Sequence, residues 1–149
     1  MILTGNQKYG DWDCSFSSGG GWIDWIRLST YDSTIPDCSF GCMFQFQGNS
    51  TGILSISQNI DIATSGTFNL SLSANYRSSH ATTNQHFNVY LNSASPIFTL
   101  TTTDSARQDF TTSLSLNPGR YKLILISDLS LNNVTDSGII FSRIIFRRI

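Results

Sequence analysis

The chain has 149 residues, a net charge of −1 and a charged-residue content of 13%. A chain of this length can bury a core of its own, so folding requires neither a disulfide framework nor a structural metal. The low charge leaves a surface of Ser, Thr and Asn, which has little attraction for nucleic acid or acidic membranes. Three arginines cluster near residue 147, but without a wider basic surface we expect no nucleic-acid partner.

Targeting signals are not evident in the numbered chain. No apolar run reaches the length of a membrane-spanning helix, and the apolar residues 1–3 are followed at once by Thr4, Gly5 and Asn6. We therefore expect no membrane span and no signal peptide within this numbering. The composition is common among recognition modules and particle-surface proteins, so the predicted location is a virion or an extracellular surface.

The first 42 residues form a loop-rich opening segment of the single domain predicted for residues 1–149. They contain all three Trp residues and a run of three glycines, and they show little periodicity. This pattern predicts an opening strand, a long loop and a strand near Trp22 to Leu28. We assign Trp22 to the core, because Trp side chains are mostly buried.

The three cysteines, Cys14, Cys38 and Cys42, are an odd number and cannot all pair within one chain. Cys38 and Cys42 flank a short loop, and the sequence leaves open whether they are bonded. A zinc site would need a fourth ligand, and both His residues are distant in sequence. We predict no metal site here.

From residue 43 onward, apolar and polar residues alternate with period two. Alternating segments occur at 52–62, 68–76, 87–91 and 110–116, and they are separated by turn residues. Such alternation is typical of strands with one face on a core and the other in water. Two further segments, YKLILIS and GIIFSRIIFRRI, are apolar on both faces, which favours central strands or strands that bind a partner. With no helical spacing, the pattern predicts an antiparallel all-β sandwich or barrel.

Gln58 is a polar residue on the apolar face of segment 52–62, which it shares with Ile56 and Ile60. A buried amide that lacks hydrogen-bond partners costs about 1–3 kcal/mol. Two interpretations are open. The amide binds the backbone of the early loop near Gly21 and Trp22, or it lies at the end of a sheet and reaches water. Either role is structural.

The order of these motifs resembles the galactose-binding-like jelly rolls, which include many carbohydrate-binding modules and small proteins of large DNA viruses and phages. The resemblance is carried by Gly21-Trp22, Ile56-Ser57-Gln58, SGTFNLSLSANY, HFNVYLN, the segment at Phe110, NPGRYKLILIS and a last strand that begins at Gly138. It implies a jelly-roll β-sandwich. Where the family often has an Ile-Asp-Asn-Val motif, this chain has Phe141-Ser142-Arg143-Ile144. The last strand therefore does not support the structural calcium site that the resemblance leaves open, and we predict no other cofactor.

The sequence offers little material for catalysis. His80 and His86 accompany no nucleophile motif. Asp11, Asp13 and Asp24 are close in sequence, but nothing else marks a pair of catalytic carboxylates. We predict a binding or structural protein with no enzymatic activity.

The first functional prediction is a structural or surface component of a virus particle, such as a minor capsid protein, that binds other subunits. If Ile140, Ile144 and Phe146 face the core, the opposite face of the last strand mixes apolar residues with arginines. Protein interfaces favour such a mixture. The predicted contact residues are Phe141, Arg143, Ile145, Arg147 and Ile149. The alternative is a central strand whose second face is covered by the early loop.

The second functional prediction is a lectin-like module that binds glycans. Aromatic rings pack on the C–H groups of sugars, while amide, carboxylate and guanidinium groups bind the hydroxyls. The candidate residues are Trp12, Trp25, Tyr31, Asp24 and Arg27. For Trp12 and Trp25 the alternative is that they fill the end of the sandwich.

Three sequons, at Asn49, Asn69 and Asn133, are possible glycosylation sites. Such sequons arise often by chance in a chain this rich in Ser and Thr. Asn69 falls on the polar face of its predicted strand, where a glycan has room.

Overall fold

The computed structural model describes residues 2–3, 7–9, 12–16, 21–27, 42–48, 53–76, 85–102, 108–128 and 137–149. These residues form twelve strands and no helix: β1 (Ile2–Leu3), β2 (Gln7–Tyr9), β3 (Trp12–Phe16), β4 (Gly21–Arg27), β5 (Cys42–Gly48), β6 (Ile53–Ile62), β7 (Gly66–Tyr76), β8 (Gln85–Leu91), β9 (Phe98–Thr102), β10 (Gln108–Leu116), β11 (Gly119–Asp128) and β12 (Ser137–Arg148). Across the described ranges there is accordingly no helix of the length and hydropathy that a membrane span requires.

The strands form two six-stranded antiparallel sheets. Sheet A has the order β1-β4-β5-β12-β7-β10, and sheet B has the order β2-β3-β6-β11-β8-β9. Strands that are distant in the chain lie side by side, since β12 lies between β5 and β7 and β11 lies between β6 and β8. The protein is an antiparallel jelly-roll β-sandwich, which confirms the predicted fold class.

The opening segment contains more strands than the sequence predicted. β4 matches the strand expected near Trp22 to Leu28, but β2 and β3 occupy positions where a long loop was expected. β3 pairs with β6, from Asp13 opposite Ser57 to Phe16 opposite Leu54, and β2 pairs with β3. A strand at the side of an existing sheet takes its hydrogen bonds from its neighbour, so it can form without a clear alternation of its own.

The core lies between the two sheets and is built from alternate residues of the strands. Its fully or nearly fully buried members are Ile56, Leu70, Leu72, Ala74, Phe87, Val89, Leu91, Leu100, Leu123, Leu125 and Phe141. This set confirms the burial of alternate residues predicted for segment 87–91 and for segment 68–76 as far as residue 74. Ser73, on the predicted polar face, is also buried. In β11, Leu123 and Leu125 are buried while Ile124 and Ile126 keep partial exposure, so this strand also has one core face.

Phe141 joins the two sheets. Its ring lies 4.7 Å from the ring of Phe87, centroid to centroid, at an interplanar angle of 71°, an edge-to-face contact between β12 and β8. Phe87 is 0% exposed and Phe141 is 1% exposed. The prediction that Phe141 contacts a partner is therefore wrong.

A register shift in β12 explains the error. The pairing of β12 with β7 is interrupted between Phe141 and Arg143, where Ser142 is the extra residue. A bulge of one residue changes which face the following side chains occupy. Phe141 therefore faces the core together with Ile144, although the two residues are three apart. Strict alternation had placed them on opposite faces.

Gln58 lies opposite Leu123 in the pairing of β6 with β11, so it is on the core face, as the parity predicted. Its side chain is half-buried, which fits an amide that reaches water. Residues 17–20 of the early loop lie outside the described residues, so a hydrogen bond from Gln58 to that loop stays a prediction. Trp22 lies in β4, opposite Gln47, and its assignment to the core stays a prediction as well. Cys38 also lies outside the described residues.

The first testable prediction concerns the register of β12. Phe141→Ala should lower the free energy of unfolding by about 3–5 kcal/mol, because it removes a buried aromatic ring and leaves a cavity. The control is Ile145→Ala on the opposite face of the same strand, which should cost less than about 1 kcal/mol. Chemical denaturation measures both values. A larger loss for Ile145→Ala than for Phe141→Ala would show that the register is wrong.

The second prediction concerns a buried hydroxyl. Thr102 is 0% exposed, and its Oγ1 has no hydrogen-bond partner among the described residues. Thr102→Val replaces this hydroxyl by a methyl group of similar shape, so we expect the free energy of unfolding to rise by about 1 kcal/mol. The matched control is Thr101→Val, because the Oγ1 of Thr101 lies 3.1 Å from Nδ1 of His86 in a hydrogen bond. Thermal denaturation should show a gain for the first variant and none for the second.

Candidate functional site

Of the five residues predicted to bind glycans, those within the described strands lie on two different sheets, and their role as one site stays a prediction. Trp12 lies in strand β3 of sheet B, where it is half-buried and packs against the core. It is not a loop aromatic, and the core-filling alternative describes it better. Asp24, Trp25 and Arg27 lie in β4 of the other sheet, where their side chains are outside the description. Tyr31 lies outside the described residues.

The remaining residues predicted to contact a partner lie on or beside the outer face of sheet A. Arg143 and Arg147 are exposed, and Ile145 is half-buried. In the pairing with β7, Arg143 lies opposite Ser73, Ile145 opposite Ser71 and Arg147 opposite Asn69. Ile149, just after the end of β12, is 64% exposed. A role for these four in binding a partner stays a prediction.

The outer face of sheet A carries a ladder of polar pairs between β7 and β10. The hydroxyl of Ser113 donates to Oδ1 of Asn69 at 2.6 Å. The hydroxyls of Ser71 and Thr111 lie 3.1 Å apart. One step further along the strands, the hydroxyl of Ser73 donates to Asp109. Because these groups bind one another, fewer of them are left to bind a ligand.

Asn69 is half-buried, and its Oδ1 accepts the hydrogen bond from Ser113 in this ladder. Glycosylation at Asn69 stays a prediction. The other two sequon residues, Asn49 and Asn133, lie outside the described residues.

The outer face of sheet B has a different character. At its centre lie three half-buried side chains, Tyr90 of β8 and Ile124 and Ile126 of β11. Ile124 lies between Tyr90 and Ser57, and Ile126 lies between Asn88 and Ser55. We call this surface the sheet B face and define it by Ser55, Asn88, Tyr90, Ile124 and Ile126; Ser57, beside Ile124, is only 7% exposed. The face extends over three strands, or about 10 Å across.

Hydrogen bonds hold the sheet B face in shape. Oγ1 of Thr99 donates to Oδ1 of Asn88 at 2.7 Å, which orients the amide. Oδ1 of Asn92 accepts from the backbone N–H of Lys122 at 2.6 Å, and Nδ2 of Asn92 donates to the carbonyl of Arg120 at 3.0 Å. The bonds of Asn92 attach the end of β8 to β11 and so position Tyr90 beside Ile124.

Asn92 can make these bonds because its backbone has a positive φ of 48°. Asn is one of the few residues other than Gly that adopt this conformation readily. The turn after β8 and the edge of the sheet B face thus depend on the same side chain.

The charges on and around this face are few and balanced. Asp13 of β3 and Lys122 of β11 are both exposed, and Asp61 forms an ion pair of 3.8 Å with Arg120. Within the described ranges, no group of three His, Cys, Asp or Glu residues is arranged to hold a metal ion. The face can therefore offer an aromatic ring, an aliphatic floor and neutral hydrogen-bonding groups to a ligand.

Sequence reasoning did not select Tyr90 or Asn88 as site residues, although it placed both on the polar face of segment 87–91. Two features of the sequence indicated an apolar patch on the outer face of this sheet. A Tyr interrupts the polar face of β8, and β11 is apolar on both faces. Only the pairing of Tyr90 with Ile124 shows that the two features belong to one surface.

Comparison with solved structures finds the same fold at low sequence identity. A carbohydrate-binding module, CBM4, matches with a TM-score of 0.60 at 14% identity, over 100% of this chain and 95% of that chain. The CBM22-1 xylan-binding domain of Xyn10C from Paenibacillus barcinonensis matches with a TM-score of 0.60 at 11% identity, over 97% of this chain and 88% of that chain.

The enzymatically active domain of tailspike protein 4 from bacteriophage CBA120 matches with a TM-score of 0.59 at 14% identity. The match covers 93% of this chain but only 19% of the tailspike chain. Searches of protein-family models and of curated proteins give no match. At these identities the likeness shows the fold alone: the protein shares the jelly-roll fold of carbohydrate-binding modules, which confirms the predicted resemblance at the level of the fold.

Proposed function

We propose that the protein is a non-catalytic carbohydrate-binding module that binds a neutral glycan on the sheet B face. The observation that carries this proposal is the half-buried ring of Tyr90 beside Ile124, together with the oriented amide of Asn88. The similarity to solved carbohydrate-binding modules supports the class of ligand.

The chemistry of the face suits a sugar. The C–H groups on one side of a pyranose ring pack against the ring of Tyr90 and against the aliphatic side chains of β11. Asn88 uses its oxygen to accept from Thr99, and its amide N–H groups remain to donate to sugar hydroxyls. The exposed side chains Asp13 and Lys122 carry opposite charges, so the surroundings of the face suit a neutral glycan better than a strongly charged one.

The outer face of sheet A is a weaker candidate. Its described polar groups on β7 and β10 are largely engaged with one another, as in the pairs of Ser71 with Thr111 and Ser113 with Asn69. Among the outer-face side chains described on β7, β10 and β12 there is no aromatic ring that could pack on a sugar.

The described acidic groups favour binding over hydrolysis. Asp13, Asp61 and Asp109 are all exposed, and Asp61 is paired with Arg120. A general acid in a glycosidase needs a shielded carboxyl close to a second carboxylate. Asp109, on the outer face of the other sheet, is hydrogen-bonded to Ser73.

The structural role in a virus particle, the first of the two functions predicted from the sequence, has less support. One similar structure is a domain of a phage tailspike, and a likeness at 14% identity reaches no further than the fold. A minor capsid role, contacts with other subunits and a location on a virion or an extracellular surface stay predictions.

The third prediction tests the sheet B face. Tyr90→Ala should weaken glycan binding at least about tenfold, because it removes the surface on which the sugar packs. Tyr90→Phe keeps the ring and should retain most of the affinity. A glycan array identifies the ligand, and affinity electrophoresis with soluble xylan and other neutral polysaccharides measures the change. Thr111→Ala, on the outer face of sheet A, is the control and should bind like the wild type.

Two results would contradict the proposal. If the folded wild-type protein bound no glycan on the array, the proposed function would be wrong. If Tyr90→Ala bound as tightly as the wild type, glycan binding would lie elsewhere on the molecule.

A further inference from the structure

Sheet A ends in a long strand with one open side. β10 pairs with β7 through nine consecutive residue pairs, and it is last in the strand order of the sheet. The strands at the other three sheet edges, β1, β2 and β9, have two, three and five residues. A sheet edge presents unpaired N–H and C=O groups that can pair with another chain, and short edge strands limit this risk. β10 is the exception among the described edges.

The usual protections of an edge strand are missing from β10. Its sequence, QDFTTSLSL, contains no Lys, Arg or Pro, and Asp109 is its one charged residue. The pairing with β7 runs without a bulge that would twist the strand away. Every residue of β10 is either exposed or half-buried, and no described strand pairs with its outer edge.

The inward side of β10 also has apolar surface left to bury. Phe110, Leu114 and Leu116 pack against the core but are half-buried, whereas the residues opposite Phe110 and Leu114, Leu72 and Phe68, are buried. A further strand beside β10 would bury part of this apolar area, which favours association.

We propose that β10 pairs antiparallel with β10 of a second copy of this chain, in the register centred on Thr112. Two sheets A would then join into one continuous sheet with two-fold symmetry. This register uses all nine residues of the strand, since Gln108 of each copy lies opposite Leu116 of the other. It also keeps inward residues opposite inward residues, as antiparallel pairing requires.

The strand is self-complementary in this register. On the inner face Phe110 meets Leu114 twice, and aromatic–aliphatic pairs across strands are favourable. On the outer face Thr111 meets Ser113 twice, which extends the polar ladder of β7 and β10 into the second copy. Asp109 meets Ser115, so no like charges face each other.

These features favour a second copy over an unrelated peptide. An isologous contact needs a surface that complements itself, and β10 is such a surface. The net charge of −1 on the whole chain adds little repulsion between copies. The edge of sheet A is separate from the sheet B face, so this proposal does not depend on glycan binding.

The test uses two double variants that change the same two positions. Thr111→Lys with Ser113→Lys places like charges opposite each other in the proposed register. Thr111→Lys with Ser113→Glu places opposite charges there. Both variants lose the same hydrogen bonds to β7, so they are matched for effects on folding. Circular dichroism confirms the fold of each, and analytical ultracentrifugation over a concentration series gives the dimer Kd.

We expect the wild type to dimerise, the Lys/Lys variant to raise the Kd at least about tenfold, and the Lys/Glu variant to dimerise at least as well as the wild type. A wild-type protein that remains monomeric would overturn the proposal, even if β10 captured an extended peptide. Equal dimerisation of both variants would place the interface elsewhere. Loss of dimerisation in both would exclude this register.

Discussion

The edge-to-face contact of Phe87 with Phe141 is the constraint on which the arrangement of the two sheets depends. Phe87 comes from β8 of sheet B and Phe141 from β12 of sheet A, and both are almost completely buried. β12 can supply Phe141 to the core and still place Ile144 there because a bulge at Ser142 shifts its register. Because the core is closely packed, it has room for particular side chains only. The bulge decides which side chains of β12 these are.

Burying one face of each sheet leaves two outer faces, and they differ in what they can bind. On sheet A, side-chain hydroxyls and amides of β7 and β10 bind each other, as Ser113 does with Asn69. On sheet B, Tyr90 lies beside Ile124, and a single bond from Thr99 orients Asn88. The oriented amide of Asn88 beside this apolar surface is suited to binding a ligand, because its side chain has already lost conformational entropy on folding.

The similar structures share the fold with 11–14% sequence identity and TM-scores of 0.59–0.60. At that level of identity, the shared property is the fold. Many different apolar residues can fill the core of a fold if their total volume fits. The outer faces and edges do not have to fill a core, so the ligand and the partner depend on the particular surface residues of this chain.

Period-two patterning identified most strands, the sandwich class and the inward position of Gln58, because each depends on residues one or two apart along the chain. It missed β2 and β3, whose hydrogen bonds come from pairing with β6 and with each other. It placed Phe141 on the wrong face, since one bulge reverses a parity argument. It named Trp12 as a ligand-binding aromatic and passed over Tyr90, although the first packs on the core and the second lies on an outer face. Local alternation carries no information on which distant strands become neighbours. That pairing, set by burial and backbone hydrogen bonding over the whole chain, is what brings Tyr90, Ile124 and Asn88 together.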